Sequence, residues 1–265
     1  MTEIKIYRYM LKERGEIMKF YRGYIKLNED KTPYDNKRMH RHMIDDWPTV
    51  GGILKADYVM VDIDTFEDSD LFMQLVDNYK WRCHIVATDS GIHAIFKKPD
   101  IAIASVVGRE LMCGIRADFK IGRRDYKSSD YECVIKHGKY REVLQRCEDP
   151  QILPWQLMPF TNELDLKSVG DGDGRHGIHR QLIGRACAYS TNAIEIIDYV
   201  KWVNNNIFAV PRDSVNWKVR DVQDWIDDVV KEDDMGIDEL LQHYQVKDLR
   251  KVKQFIRANY DMKEV

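Results

Sequence analysis

The sequence predicts an α+β fold: a domain built on a mixed and largely antiparallel sheet, followed by a small all-α module. Three observations predict it. Short β-branched and aromatic runs bounded by turn residues recur through the first 140 or so positions, two of them joined by a tight Asp89-Ser90-Gly91 turn. One long stretch, Phe66–Tyr79, has helical spacing of its apolar residues between such runs. Beyond a Pro- and Gly-rich stretch, apolar residues recur only at helical spacing. The expected boundaries are a first domain over 1–155, a linker over 156–175 and a helical domain over 176–265.

The elements follow in order. Residues 1–20 alternate charged and apolar groups and suggest a short helix or arm. Tyr21–Leu27 reads as a strand ended by the turn-forming Asn28–Pro33, and a small apolar segment precedes Gly51-Gly52. Asp57–Ile63 (DYVMVDI) has strand character. Phe66–Tyr79 carries Leu71, Phe72, Leu75, Val76 and Tyr79 on one side, with acidic residues near its start, as a helix requires. Cys83–Thr88 and Ile92–Lys97 form a hairpin, Ser105–Cys113 is expected as a helix, and strands are expected near Arg116–Ile121 and Tyr131–Lys136. After Pro150, Pro154, Pro159 and the glycines of Gly170–Gly174, helices are expected at His176–Tyr189, Ala193–Asn204, Trp217–Val230, Ile237–His243 and Lys247–Asn259.

Composition sets limits. With 265 residues and 44% hydrophobic side chains, the chain can bury a real core. The net charge of −3 gives no sign of nucleic acid, but charge is unevenly spread: residues 109–146 hold ten Lys/Arg against six Asp/Glu. That asymmetry suits a protein gripping a polyanion with one face, and equally a solvated mixed surface. Five cysteines, widely spaced and without a CxxC pair, argue against a disulfide framework and against zinc. Cys133 and His137 have ligand-like spacing but no second pair. No apolar stretch has the length of a membrane span, so no membrane partner and a cytoplasmic location are expected.

Chemistry concentrates in three places. Asp62 and Asp64 are two apart on a strand and so share a face, where paired carboxylates repel unless a cation or proton lies between them. Hard oxygen ligands of this kind select Mg2+ or Mn2+. Ser90-Gly91-Ile92-His93 places a hydroxyl, a glycine that permits close backbone approach and an imidazole at a turn. Arg116, Asp118 and Lys120 alternate on a further strand; a third carboxylate could complete a two-metal site, with the cations neutralising phosphate charge. The basic Arg123, Arg124 and Lys127 that follow suit a nucleic-acid backbone or a solvated loop. Each motif alone also fits a plain structural role: a wet strand end, a tight hairpin, a surface charge cluster. No GxxxxGK[ST] occurs, and His176 and His179 lack an HExxH companion, which leaves them as capping or packing residues.

Taken together, VMVDID, then SGIHAIF, then ADFKIG resemble the three motifs of the archaeo-eukaryotic primase superfamily, and more closely the bifunctional DNA primase/polymerase domains of phages and plasmids. YIKLNEDKTP is similar to the lead-in of those domains, so the resemblance covers about residues 20–145. Gly174–Asp228, with GRHGIHRQLIGRACAYS, is more loosely similar to the helical domain that often follows. The resemblance implies a DNA-templated nucleotidyltransferase that makes or extends primers. In it Asp62, Asp64 and Asp118 would hold two divalent metals, and Ser90, Gly91 and His93, with Arg116 and Lys120, would contact the nucleotide. The implied partners are single-stranded DNA, NTPs or dNTPs and a separate replicative helicase, since no helicase is fused here. Many relatives carry a zinc-binding insertion, whose Cys/His set this chain lacks. A non-catalytic single-strand-binding replication factor, or a metal-dependent nuclease, are the alternatives.

Overall fold

The computed structural model describes residues 19–36, 38–41, 47–100, 103–125, 130–159, 165–187 and 189–230. The expected arm over 1–20, except its last two residues, the helices at 237–243 and 247–259, and Lys127 lie outside them. The protein is α+β, with antiparallel strand pairing. It divides into two compact units: one holds the described residues up to Arg109 together with Arg116–Pro154, the other Glu110–Ile115 with the described residues from Trp155 on.

The first unit contains two sheets. One has four strands in the order β1 (Tyr21–Lys26), β2 (Val50–Leu54), β8 (Tyr131–Lys136) and β9 (Lys139–Tyr140). The other has six: β10 (Val143–Gln145), β4 (His84–Ala87), β5 (Ile92–Lys97), β3 (Tyr58–Ile63), β7 (Arg116–Ile121) and β6 (Val106–Glu110). A core of Phe20, Tyr21, Tyr24, Val50 and Leu54 with Val134 and Ile135 packs on Met60 and Ile95, so it lies between the two sheets. Strand alternation puts Tyr58, Met60 and Asp62 of β3 on that same face. Val59, Val61 and Ile63 point the other way and are fully buried.

Helix α1 (Phe66–Tyr79) forms where the apolar spacing predicts it. Thr65 caps it: its Oγ1 accepts from the backbone N–H of Asp68 at 3.1 Å, and Glu67 and Asp68 complement the helix N-terminus. Lys80 ends it in the left-handed region, its N–H bonded to the carbonyl of Val76. Phe72 of α1 meets Phe96 edge-on, with ring centroids 6.4 Å apart.

One expectation fails here. Ser105–Cys113 is not a helix: Val106–Glu110 is edge strand β6, and Gly108 has φ of +57°, which a helix excludes. A turn follows, with the Leu111 N–H on the Ile115 carbonyl and the Gly114 N–H on the Leu111 carbonyl, both 2.8 Å. Gly51-Gly52 form the middle of β2, where a Cβ on Gly52 would lie 2.6 Å from the Tyr21 ring.

In the second unit α2 (Arg175–Ala186), α3 (Ala193–Asn206) and α4 (Val219–Val230) are described, with α3 packed against both others. Asn192 caps α3, its Oδ1 accepting from Ile194 and Glu195. The stretch expected as a linker is partly core: Gln156, Leu157, Leu166 and Val169 are buried, and short 3-10 turns occupy Trp155–Leu157 and Leu166–Ser168. Among the described residues of that stretch, Asp171–Gly174 form the longest continuous exposed run. No described helix is long and apolar enough to cross a membrane.

Candidate active site

Three neighbouring strands assemble the motifs. β3 is flanked by β5 and β7, and Asp62 is register partner to His93 on one side and to Asp118 on the other. Asp64 lies just past the end of β3 and is exposed. Lys120 pairs in register with Met60, and its ammonium reaches diagonally to Oδ2 of Asp62.

The hairpin between β4 and β5 is held from within and from without. The Gly91 N–H donates to Oγ1 of Thr88 and the Thr88 N–H to the Gly91 carbonyl, both at 2.9 Å. A Cβ on Gly91 would lie 1.8 Å from the carbonyl oxygen of Ile63, so the turn packs directly on the backbone that leads into Asp64. Asp89 is salt-bridged to Lys136 of β8 and, at 3.0 Å, to Arg141. Ser90 at the tip is exposed.

The electrostatics follow from burial. Asp62 is only 5% exposed, and burial alone would raise its pKa; His93 and then Lys120 outweigh that and hold its carboxyl well below the usual range. Burial, then the neighbouring charges of Asp62 and Asp118, push Asp64 up. His93 is 6% exposed, with Nε2 3.1 Å from Oδ1 of Asp62 and Nδ1 2.6 Å from Oε2 of Glu132. Burial lowers its pKa despite Asp62. Glu132, on β8, is 2% exposed, and burial pushes its carboxyl up to about 8. Sequence reasoning missed Glu132 altogether.

The remaining residues are placed as follows. Asp118 is partly exposed, its Oδ1 accepting from the Gly108 N–H at 2.7 Å. Arg116, Arg123 and Arg124 are exposed, and Arg22 donates to the carbonyl of Arg123 at 3.0 Å and to that of Arg124. His179 is a packing residue: fully buried, it meets Oδ1 of Asn204 at 3.1 Å and stacks on Phe208.

Asp62, Asp64 and Asp118 fit a hard divalent cation in donor chemistry, and a cation would balance the charges of Asp62 and Asp118 that, after burial, push Asp64 up. Among the described residues no three such groups are already gathered around one point as a metal needs, and the Lys120 ammonium supplies positive charge at Asp62. No protein-family model matches the chain, and no curated protein matches it significantly.

Proposed function

We propose that the protein is a DNA-templated nucleotidyltransferase that synthesises primers, extends them, or both. The observation that supports this best is the register of three adjacent strands, which sets Asp62 between His93 and Asp118, with Asp64 two residues further along the chain. Asp62, Asp64 and Asp118 would hold Mg2+ or Mn2+, which would neutralise charge at the α-phosphate and lower the pKa of the 3′-hydroxyl that displaces pyrophosphate there. The chain's own residues do the rest. The exposed Ser90 hydroxyl meets the triphosphate, and Lys120 can pass from Asp62 to a phosphate oxygen as charge builds there. Arg116 adds positive charge on the same strand face. His93, buried, holds Asp62 in place for the reaction. Arg123 and Arg124 grip the template backbone. The helices of the second unit form an all-α module that holds the template or the initiating nucleotide, and a separate helicase supplies single-stranded DNA.

A second reading, a non-catalytic single-strand-binding replication factor, has one observation in its favour. Asp62 already has its charge balanced by Lys120, with His93 beside it. The deciding experiment is primer synthesis on unprimed single-stranded DNA with labelled NTPs or dNTPs and Mg2+ or Mn2+, beside the Asp62→Ala/Asp64→Ala variant. Template-dependent products absent from the variant are expected. Extension of a primed template alone would make the protein a polymerase. Inactivity in both assays with DNA binding intact would favour the second reading.

A further inference from the structure

Glu132 belongs to none of the three motifs and comes from the other sheet, yet its carboxyl is buried against the back of His93. Oε2 of Glu132 is 2.6 Å from Nδ1, and Nε2 of the same ring is 3.1 Å from Oδ1 of Asp62. The imidazole is therefore held between two carboxyl groups, one at each nitrogen.

A neutral imidazole has one N–H and one lone pair, so it cannot donate to both carboxylates. One of the two carboxyls must carry a proton, or the ring must carry two. The ring is 6% exposed, and a buried site disfavours its charged form. Asp62 faces the Lys120 ammonium, which keeps it ionised. Glu132 feels Arg141 through space, but that guanidinium is engaged by Asp89 at 3.0 Å. The proton thus belongs on Glu132. Oδ1 of Asp62, Nδ1 of His93 and Oε2 of Glu132 are buried and within contact distance without hydrogen-bond alignment.

We propose that Glu132 is a positioning residue for the nucleotidyl-transfer site. Its carboxyl O–H donates to Nδ1 of His93, fixes the ring as the Nε2–H tautomer and keeps that N–H on Oδ1 of Asp62. Lys120 holds the other oxygen, so the carboxylate is fixed from two sides before any metal or nucleotide arrives. The assignment of a catalytic role to this chain of contacts rests on the function proposed above; the tautomer does not.

The test therefore has two arms, both on the full chain. In the first, 15N-histidine NMR at neutral pH reads the ring nitrogens of His93, assigned by their loss in His93→Gln. A single Nε2–H tautomer is expected in the wild type and in Glu132→Gln, whose amide N–H can still donate to Nδ1. In Glu132→Leu the ring is expected to lose that preference. An Nδ1–H or doubly protonated ring in the wild type would overturn the proposal even if Glu132→Leu does not fold. In the second arm, Glu132→Leu is expected to lower kcat for nucleotide incorporation about 10–100-fold with KM for the nucleotide little changed, and Glu132→Gln to restore most of it. A folded Glu132→Leu with unchanged kcat would overturn the positioning role. A wild type without activity would sink the nucleotidyltransferase reading and with it the catalytic role of Glu132, while the NMR arm would still decide the tautomer.

Discussion

Asp62 and His93 are register partners on antiparallel strands β3 and β5, and their side chains meet at 3.1 Å inside the protein. Asp62 can do this without losing its charge because Lys120, one strand over on β7, reaches its second oxygen. A buried ion pair of this kind is costly to assemble and more costly to break, since either partner alone is left uncompensated. Because side chains alternate along a strand, a one-residue slip of β5 or β7 would turn His93 or Lys120 to the opposite face. The pairing register is thus as much a part of the site as the residues.

Asp62→Asn keeps the shape and removes the charge. If Asp62 acts in nucleotidyl transfer, incorporation should fall by about three orders of magnitude, the scale set by losing a preorganised charge at a reacting phosphate. The dissociation constant for single-stranded DNA, read by fluorescence anisotropy, should change by no more than about 2-fold. Equal loss of binding and turnover would mark the site as a binding surface.

Gly91→Ala should be severely destabilising. The added methyl would sit 1.8 Å from the Ile63 carbonyl oxygen, which is backbone and cannot step aside. Separating the β4–β5 turn from the β3 terminus should cost about 3 kcal/mol or more, visible as a lowered midpoint in urea unfolding. Gly138→Ala is the control: its Cβ would meet nothing within 4 Å, and only its φ of +74° is strained, at about 1–2 kcal/mol. A Gly91→Ala protein as stable as that control would show that the turn does not bear on β3.

Much of this was legible in the sequence, and the failures have physical causes. Helix α1 spans the expected Phe66–Tyr79 because its signal is local: apolar spacing, Thr65 before it and acids in its first turn. Strands β3, β5, β7 and β8 are readable for the same reason. β6 was not, because Val106–Glu110 is short and gains its regularity from pairing with β7. β2 was not read as a strand either, because its two glycines have no strand preference of their own; they make room for Tyr21 and Ile25 on the neighbouring strand. The burial of His93 was hidden too. Alternation assigns it the polar side of its strand, and only a second sheet, brought in by distant residues, covers that side. Glu132 was missed because nothing in the pattern of Tyr131–Lys136 says which partner its carboxyl will meet.

His179 gives the second unit an acid-sensitive core. Burial, with help from Arg212, His176 and Arg175, lowers its pKa to about 4, although Asn204 opposes the shift. The unfolded chain therefore binds the proton more readily than the folded one. The stabilising contribution is complete above about pH 6.5 and is lost as pH falls toward 4. Relative to His179→Gln, the wild type should lose on the order of 2 kcal/mol between pH 6.5 and 4.5 in urea titrations. Parallel pH profiles would mean that His179 takes up its proton without cost.

Glu132 should produce the opposite slope at higher pH. Its carboxyl titrates near 4.5 when unfolded and is pushed up to about 8 by burial when folded, so the folded state holds the proton more tightly. Its contribution to stability is complete below about pH 4.5 and is lost as pH rises to about 8. His93, which touches Glu132, and Asp62 beyond it both have lowered pKa values and run the other way, but both are present in Glu132→Gln as well, and Arg141 stays charged throughout. The difference from Glu132→Gln between pH 6.5 and 8 is therefore the Glu132 slope, at up to about 1.4 kcal/mol per pH unit. Thermal melts across this window should show the wild type falling relative to Glu132→Gln, which has no proton to lose. Equal slopes in the two proteins would mean that Glu132 is already ionised at neutral pH. His93 would then have to carry the second proton itself, and the ring would stand between two carboxylates as an imidazolium.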